Sequence, residues 1–361
     1  MNQRVIISKN LAAELSAAIS DCEHDRIFVL TDTTTLELCW PVVKDYDCLA
    51  TAQMITIGAT DMEKTLESVA HVWEGLQKGG ATRHSLLINL GGGMITDLGG
   101  FAASTFKRGI NFINIPTTLL SMVDASVGGK TGFNFGGLKN EIGVFNDSKY
   151  VILCTEFLKT LDAENIASGY AEMLKHGLIN RLEAKGEKAE GVPGSMITEL
   201  LAFDLVKPDL KELQRMVAES VQVKERIVEE DPHEHSIRKA LNLGHTVGHA
   251  FESWAMKTGN PVLHGYAVAY GIIPELYLAV TKCGFPTDKM RQTVSFIREN
   301  YGTLPITCDD YPTLIELMTH DKKNIAGIIN FTLLGGIGDI RINQTATVEE
   351  IKEALDFFRE G

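Results

Sequence analysis

The amino-acid sequence predicts an N-terminal α/β domain with a parallel sheet, followed by a mainly α-helical C-terminal domain. Short β-rich runs alternate with helical runs up to about Leu158, and longer helical patterns follow that point. The chain has 361 residues, which is enough for two domains with separate cores. We therefore predict an α/β domain over residues 1–153 and a helical domain over residues 154–361.

The β-rich and amphipathic runs define the individual elements. The first domain is predicted to hold strands at Arg4–Ile7, Arg26–Thr31, Gln53–Ile57, Ser85–Leu90, Asn111–Ile115 and Tyr150–Cys154, and helices at Leu11–Ile19, Met62–Gln77 and Asp97–Phe106. Helices of the second domain are predicted at Thr160–Asn180, Ser195–Leu205, Leu210–Glu229, Ser236–Met256, Tyr266–Lys282 and Thr287–Asn300. The chain is then predicted to form a short β pair and a last helix, at Ile328–Leu334, Ile340–Ile342 and Val348–Arg359.

Composition argues against several classes of partner. The chain has 34 Lys and Arg against 47 Asp and Glu, so its net charge is −13 and no nucleic-acid partner is expected. No signal-peptide pattern and no stretch of about 20 apolar residues is visible, so we expect no membrane partner and a cytoplasmic location. The six cysteines are scattered and are interpreted as reduced thiols.

A glycine-rich turn follows the predicted strand Ser85–Leu90. Gly91, Gly92 and Gly93 lead into a helix, where free backbone N–H groups could bind a pyrophosphate. A tight strand-to-helix turn also needs glycine, so both interpretations stay open. Asp97, within the following helix, and Asp32, just after the strand Arg26–Thr31, could hold parts of a nucleotide or could act at the N-terminus of a helix.

The most polar part of the first domain is the segment 116–143, PTTLLSMVDASVGGKTGFNFGGLKNEIG. It is too polar for a core and too rich in glycine for a plain helix, so it is predicted to be a binding loop. Lys130, Lys139 and Asn140 suit a phosphate or a carboxylate, whereas a solvated loop is the plain alternative. Arg108, just before this segment, is either another anion contact or an ordinary surface charge.

The stretch Arg238–His249, RKALNLGHTVGH, carries the densest polar pattern of the second domain. If it forms one helix, four polar residues share one face: Arg238, Asn242, His245 and His249. Gly244 leaves room for a close approach by a backbone or a ligand. A core helix with hydrogen-bonded histidines is the alternative, but four polar groups on one face favour a functional site.

Metal ligands have to converge in space, so the candidates come from several predicted helices. Glu172 lies in SGYAEMLKHG with Lys175 and His176 on the same helical face, and His264 lies in LHGYAVAYG. One carboxylate and two imidazoles with an open position suit catalytic Zn²⁺ or a similar divalent cation. The spacing does not say which two histidines bind. A metalloprotease is disfavoured because GHTVGH has no Glu beside its first His.

These segments resemble, in order and spacing, the motifs of the 3-dehydroquinate synthase family. The motifs are matched by GGGMITDLGGF, PTTLLSMVDASVGGKTGFN, LKNEIGVF, SGYAEMLKHG, Lys224, RKALNLGHTVGHAFE, LHGYAVAYG and DKKN. The resemblance implies an NAD-binding first domain and a metal- and substrate-binding second domain. It also implies conversion of 3-deoxy-D-arabino-heptulosonate 7-phosphate to 3-dehydroquinate and phosphate, in the shikimate pathway of aromatic amino-acid biosynthesis. Such an enzyme is a carbon–oxygen lyase that uses NAD and Zn²⁺ or Co²⁺ on a phosphorylated sugar acid, and we expect a homodimer.

Residue by residue, the resemblance implies three metal ligands, Glu172, His245 and His264. It implies catalytic roles for His249, Lys175, Asp124, Lys130 and Asn242. Substrate contacts are implied for Arg108, which a neighbouring subunit would supply, and for Lys130, Asn140, Lys224, Arg238, Asn242, His249 and Lys322 or its neighbour Lys323. Cofactor contacts are implied for Asp32, Asp61, Lys64, Gly92, Gly93, Met94, Asp97, Thr117, Thr118, Asp124, Lys130, Lys139, Phe157 and Thr160.

Two positions depart from the family pattern. The family usually has a Glu where this chain has Asp61, three residues before Lys64, so the acid is one methylene shorter here. It also commonly has a Glu where this chain has Tyr266. Since Tyr266 is not an expected ligand, we expect altered surroundings of the metal rather than its loss.

Other functions would keep part of this pattern. A related sugar-phosphate cyclase would use NAD and a metal on another substrate, but Lys224, Arg238 and Asn242 together favour a carboxylated one. An iron-activated polyol dehydrogenase would release NADH and would need fewer anion contacts. A non-catalytic scaffold would leave the polar residues unexplained.

Overall fold

The computed structural model describes residues 3–136, 138–184, 195–319 and 328–360. The chain divides into two compact units, one formed by Met1–Asp162 with Leu210–Val221 and the other by Ala163–Asp209 with Gln222–Gly361. The predicted fold class is confirmed, since the first unit is a parallel α/β unit and the second is mainly helical. The division follows Asp162 rather than residue 153. Leu210–Val221 also groups with the first unit, and local sequence patterns do not show which unit a helix packs against.

The first unit is built on a parallel sheet. Its strands are β1 (Arg4–Ile7), β2 (Ile27–Asp32), β3 (Gln53–Ile57), β4 (Leu86–Gly91), β5 (Asn111–Pro116), β6 (Lys130–Phe135), β7 (Leu138–Phe145) and β8 (Tyr150–Leu153). Six of them form one sheet in the order β1-β8-β5-β4-β2-β3, and β6 pairs with β7 in an antiparallel hairpin. Every residue of β2, β4 and β8 is buried, as expected for a parallel sheet that is covered on both faces.

Helices connect these strands. They are α1 (Leu11–Asp21), α2 (Thr33–Leu38), α3 (Trp40–Val43), α4 (Leu66–Lys78) and α5 (Gly93–Thr105). Phe28, Leu98 and Phe112 are buried in the core that the sheet forms with α4 and α5. Thr65 caps α4 by accepting the Ser68 N–H at 3.3 Å, so this helix begins later than the sequence pattern predicted.

The segment 116–143 is not the irregular loop that its polarity predicted. Ser121–Ala125 forms a π-helical turn, and the β6–β7 hairpin follows. Phe133 on β6 is buried in the core, whereas every residue of β7 is exposed. Glycine and polar residues interrupt the apolar ones in both strands, and no residue of β7 is buried, which is why polarity alone indicated a loop.

The second unit is a helical assembly with a small β pair. Its elements, together with α9, which begins in the stretch grouped with the first unit, are α6 (Ala163–Leu178), α7 (Arg181–Ala184), α8 (Met196–Ala202), α9 (Leu210–Glu230), α10 (His245–Lys257), α11 (His264–Cys283), α12 (Thr287–Tyr301), α13 (Tyr311–Thr319), β9 (Asn330–Gly336), β10 (Asp339–Thr345) and α14 (Val348–Glu360). Helix α11 is central, because it contacts α6, α10, α12 and α14. None of the helices that the structure describes combines the length and the apolar character that a bilayer crossing requires.

The stretch Arg238–His249 is not the single helix that was predicted. Ile237–Asn242 forms 3₁₀ turns, Gly244 has a left-handed φ of 78°, and α10 begins at His245. A Cβ at Gly244 would lie 2.6 Å from Ile272, so both the backbone and the packing require glycine. Helical periodicity does not reveal such a break, and Arg238 therefore does not share a helix face with His245.

Candidate active site

Three helices of the second unit bring Glu172, His245 and His264 together. Glu172 lies in the buried part of α6, and the two histidines are the first residues of α10 and α11. Oε1 of Glu172 lies 3.5 Å from Nε2 of His245 and 3.6 Å from Nε2 of His264. Among the described residues, this buried oxygen makes no hydrogen bond. Such an atom, facing two imidazole nitrogens, indicates a site for a cation.

The separations fit one divalent ion between the three atoms. Zn²⁺ lies about 2.0–2.2 Å from nitrogen and oxygen ligands, so tetrahedral ligands are roughly 3.3–3.6 Å apart. The observed 3.5 and 3.6 Å fall in this range and exceed an ordinary N–H···O distance. Two imidazoles and one carboxylate are also a donor set that catalytic zinc sites use. The residues present therefore fit the metal that the sequence predicts.

The other ring nitrogen of each histidine is already engaged. Nδ1 of His245 lies 3.1 Å from the carbonyl oxygen of Leu243, and Nδ1 of His264 lies 3.3 Å from Oε2 of Glu252. Since these oxygens accept, Nδ1 carries a proton in both contacts, which leaves Nε2 as the nitrogen of each ring that a metal would bind. A bound metal would take the place of any proton on Nε2.

Charge is concentrated around Glu172. Lys175 forms an ion pair with its other oxygen, Oε2, and both side chains are buried. Burial acts to raise the pKa of Glu172, but Lys175, His245 and His264 outweigh it and hold the pKa well below its usual range. Burial acts to lower the pKa of His264, but Glu172 and Glu252 raise it to about 10. The negative charge around His264 favours a bound cation.

His249 lies one turn beyond His245 on α10. Its ring centroid is 5.3 Å from that of His245 and 5.8 Å from that of His264. One nitrogen from each of the three rings lies within 4.8 Å of the others, so the three histidines form an alternative ligand set. Oε1 of Glu172 lies 3.5 and 3.6 Å from two of the rings and has no hydrogen-bond partner among the described residues, which favours the carboxylate as the third ligand.

Several predicted substrate residues have contacts of their own. Nη1 of Arg238 donates to the Pro232 carbonyl, and Asn242 donates to Glu234 at 2.8 Å. Lys224 is buried in the second half of α9. Lys322 and Lys323 lie outside the described residues, and three further candidates belong to the first unit: Arg108, Lys130 and Asn140. Asp124, a predicted catalytic and cofactor residue, also belongs to the first unit. The roles implied for all of them stay predictions.

Asp231 organises the loop that carries Arg238. Its buried carboxylate accepts the backbone N–H groups of His235 at 3.0 Å, Ser236 at 2.7 Å and Arg238 at 3.1 Å. Burial acts to raise the pKa of Asp231, but these hydrogen bonds lower it to about 2. The Asp231 carboxylate therefore fixes the backbone of Arg238 and of the two residues His235 and Ser236 that precede it in the loop.

The glycine turn of the first unit ends β4 and begins α5. Gly92 is the N-cap residue of α5, so the unpaired N–H groups of the first helical turn lie at the carboxyl edge of the sheet. A Cβ at Gly92 would lie 3.0 Å from Thr118, and the Thr117 N–H donates to the Gly91 carbonyl at 3.0 Å. Gly92, Gly93, Thr117 and Thr118 are thus brought together, as the cofactor role predicted for them requires.

Lys64 joins the other predicted cofactor contacts. It is only 3% exposed, forms an ion pair with Asp97 at 2.7 Å and donates a hydrogen bond to Asn140. Asp61 instead pairs with Lys139 at 3.4 Å, near the surface. The shorter acid at position 61 therefore contacts the β6–β7 hairpin, and Lys64 forms a partly buried ion pair with Asp97.

The remaining cofactor candidates have structural contacts of their own. Asp32 accepts the Thr35 N–H at 2.8 Å and caps α2, which is the alternative that the sequence left open. Phe157 is buried, and Thr160 donates to its carbonyl at 2.9 Å. Met94 packs against the core of this unit. These contacts position the side chains and leave their cofactor roles as predictions.

Two carboxylates near the metal ligands were not predicted. Glu252 lies seven residues after His245 and three after His249 on α10, so helical spacing could have identified it. Glu275 contacts the start of α10 from α11, across 31 residues of sequence. No local pattern reveals a contact of that kind.

Comparison with solved structures defines the class of protein. A 2-epi-5-epi-valiolone synthase from Streptomyces hygroscopicus subsp. jinggangensis 5008, solved with NAD⁺ and Zn²⁺ bound, is 26% identical with a TM-score of 0.81, over 99% of this chain and 97% of that one. A 2-deoxy-scyllo-inosose synthase complexed with carbaglucose-6-phosphate, NAD⁺ and Co²⁺ shares the fold, with a TM-score of 0.83 and 22% identity over 99% of this chain and 96% of that one. The chain has the fold of these synthases.

Sequence comparison gives the family. Models for the N-terminal and C-terminal parts of 3-dehydroquinate synthase match residues 54–168 and 169–324. The 3-dehydroquinate synthase of Parabacteroides distasonis is 53% identical over 359 residues, which cover 99% of this chain and 98% of that relative. The chain belongs to the 3-dehydroquinate synthase family, and the predicted resemblance is confirmed.

Proposed function

We propose that this chain converts 3-deoxy-D-arabino-heptulosonate 7-phosphate to 3-dehydroquinate and phosphate, with NAD and Zn²⁺ or Co²⁺ as cofactors. It would act as a carbon–oxygen lyase of the shikimate pathway, in the cytoplasm. The family and the 53% identical relative support this proposal. The structural observation that most supports the proposal is the position of Oε1 of Glu172, which lies 3.5 Å from Nε2 of His245 and 3.6 Å from Nε2 of His264.

Glu172, His245 and His264 would hold the metal. When bound, the metal supplies a positive charge that favours ionisation of a substrate hydroxyl. Lys175 holds Oε2 of Glu172 and so directs Oε1 toward the histidines. Glu252 holds Nδ1 of His264 and so directs Nε2 toward Glu172.

The first unit would hold NAD. The N–H groups at the start of α5, beside Gly92 and Gly93, suit the pyrophosphate. Lys64 holds the Asp97 carboxylate at 2.7 Å, which fixes an acceptor for a ribose or an amide. NAD supplies reversible acceptance of a hydride, so no NADH accumulates over a full turnover.

His249 would transfer protons at the substrate. It is partly exposed beside the ligand cluster, and an imidazole gives and accepts a proton near neutral pH. Arg238, Lys224 and Asn242 would contact the anionic groups of the substrate. Arg238 suits a carboxylate or a phosphate because its guanidinium binds such groups in a bidentate manner.

We also propose a homodimer in which Arg108 serves the site of the neighbouring subunit. Arg108 is exposed and directly precedes β5, so it lies at the amino-terminal edge of the sheet, opposite the edge that carries Gly92. Within its own unit it cannot join the glycine turn. The β6–β7 hairpin also exposes Phe135, Leu138 and Phe145, which a second copy of the chain would cover.

The reaction can be tested with the purified protein, the heptulosonate phosphate, NAD⁺ and Zn²⁺. We expect equal amounts of phosphate and 3-dehydroquinate and no lasting NADH. Phosphate release without 3-dehydroquinate would reject the proposed reaction. Accumulating NADH would favour a dehydrogenase. Reactions without NAD⁺, or with a chelator in place of Zn²⁺, are the controls and should release no phosphate.

A further inference from the structure

We propose that Glu275 is a positioning residue for His245, an inference that rests on the metal centre proposed above. Glu275 lies on α11, and its side chain is fully buried. Its Oε2 accepts the N–H of Gly244 at 2.6 Å, and its Oε1 accepts the N–H of Val247 at 3.1 Å. One carboxylate therefore binds the backbone on both sides of His245.

The start of α10 needs this carboxylate because its own N-cap residue has no side chain. The first N–H groups of a helix have no partner within that helix, and a Ser, Thr, Asp or Asn at the N-cap position commonly accepts one of them. Here the N-cap residue is Gly244, whose φ of 78° and close packing on Ile272 disfavour any larger residue. The acceptor therefore comes from another helix.

The close contact between α10 and α11 brings the carboxylate within reach. A Cβ at Gly271, one turn before Glu275 on α11, would lie 2.1 Å from the carbonyl oxygen of Gly244. A Cβ at Gly248 would lie 2.8 Å from the carbonyl oxygen of Ala267. The face of α11 that holds Gly271 and Glu275 therefore allows the close approach of α10. The same face supplies the carboxylate that accepts N–H groups at the start of α10.

The position of this acceptor determines the position of the imidazole. His245 is the first residue of α10, and helix ends fray when they are not held. Nδ1 of His245 contacts the Leu243 carbonyl at 3.1 Å, and Nε2 faces Glu172 at 3.5 Å. A backbone shift at Gly244 would disturb both contacts. Loss of the Glu275 acceptor should therefore weaken metal binding although no ligand is removed.

The test is a Co²⁺ titration followed by visible absorption, on the full chain. Glu275→Gln keeps the size of the side chain but places an NH₂ group against one of the two N–H donors. We expect this variant to bind one Co²⁺ about 10–100-fold more weakly than the unsubstituted protein. Its NAD affinity, which depends on the first unit, should be unchanged.

Asp231→Asn is the matched control. Asp231 is also a buried carboxylate of the second unit that accepts several backbone N–H groups, but none of them flanks a proposed metal ligand. The Co²⁺ affinity of the Asp231→Asn variant should equal that of the unsubstituted protein. Equal weakening in both variants would overturn the positioning role and indicate a general loss of stability.

The two proposals fail in different ways. If the unsubstituted protein binds no Co²⁺, the metal centre itself is rejected. If that protein binds Co²⁺ and Glu275→Gln binds it equally well, only the role of Glu275 is rejected. Should Glu275→Gln not fold, Glu275→Asp serves instead, because a side chain one methylene shorter cannot reach both N–H groups, and the same weakening is expected.

Discussion

At the scale of single residues, the four buried carboxylates in the described part of the second unit have distinct sets of partners. Glu172 gives one oxygen to Lys175 and turns the other toward two imidazoles. Glu252 holds a ring nitrogen, whereas Asp231 and Glu275 hold backbone N–H groups. Helical spacing predicted that Glu172 and Lys175 are neighbours, but it does not say which oxygen faces which partner. Only the three-dimensional arrangement shows that.

Asp231 gives a prediction about stability and pH. Folding lowers its pKa from 3.8 to about 2, so its stabilising effect is complete above pH 3.8 and disappears as the pH falls toward 2. Asp231→Asn should lower the free energy of unfolding by about 1–2 kcal/mol at neutral pH, because hydrogen bonds to a charged acceptor are lost. Urea unfolding of both proteins measures this difference. A difference that stayed the same near pH 2 would show that the charge of Asp231 is not its cause.

At the scale of elements, the sequence predicted the sheet better than the site. The strands Arg4–Ile7 and Gln53–Ile57 occur as predicted, because short β-rich runs between turns leave little choice. The helix Tyr311–Thr319 was missed, and the break at Gly244 was missed because its cause lies in packing against Ile272. Residue types indicated candidate ligands and the family resemblance chose among them, whereas contacts between distant helices position them.

The contact between α6 and α11 gives a second prediction. A Cβ at Gly265 would lie 1.8 Å from the carbonyl oxygen of Ser168, so Gly265→Ala must force the two helices apart. We expect a loss of about 1–3 kcal/mol in the free energy of unfolding, together with weaker metal binding, because His264 and Glu172 would separate. Thermal unfolding with and without Zn²⁺ measures both effects.

Gly336→Ala is the control for this substitution. A Cβ at Gly336 meets nothing within 4 Å, so the change should shift stability by no more than about 0.5 kcal/mol. If Gly265→Ala were as stable as this control and bound Zn²⁺ equally well, the close approach of α6 and α11 would not be needed for the site.

At the scale of the whole molecule, composition argued against some classes of binding partner but did not identify the function. A net charge of −13 argued against nucleic acid, yet a phosphorylated acid remained acceptable because a few cations suffice for a local site. The family followed from motifs spread over most of the chain, which the family models confirm across residues 54–324. The grouping of Leu210–Val221 with the first unit could not be predicted, because it depends on packing rather than on pattern.

The proposed role of Arg108 gives a prediction for the assembled molecule. Arg108→Ala and His249→Ala should each be nearly inactive alone. If the partner subunit supplies the arginine, mixed dimers contain one intact site, and random reassembly of equal amounts should restore about a quarter of full activity. Phosphate release after unfolding and refolding the mixture measures this. No recovery, with mixed dimers demonstrated, would mean that Arg108 acts within its own chain or not at all.

Under the proposed function, Glu172, His245 and His264 hold the metal, while His249 remains available for proton transfer. The most direct measurement is the Zn²⁺ content and affinity of His245→Ala and His249→Ala, after removal of the metal and titration with fresh Zn²⁺. We expect His245→Ala to lose metal binding, and His249→Ala to bind one Zn²⁺ with little change in affinity but without turnover. If His249→Ala lost Zn²⁺ as completely as His245→Ala, the three histidines would be the ligands, and the assignment of Glu172 to the metal and His249 to proton transfer would be contradicted.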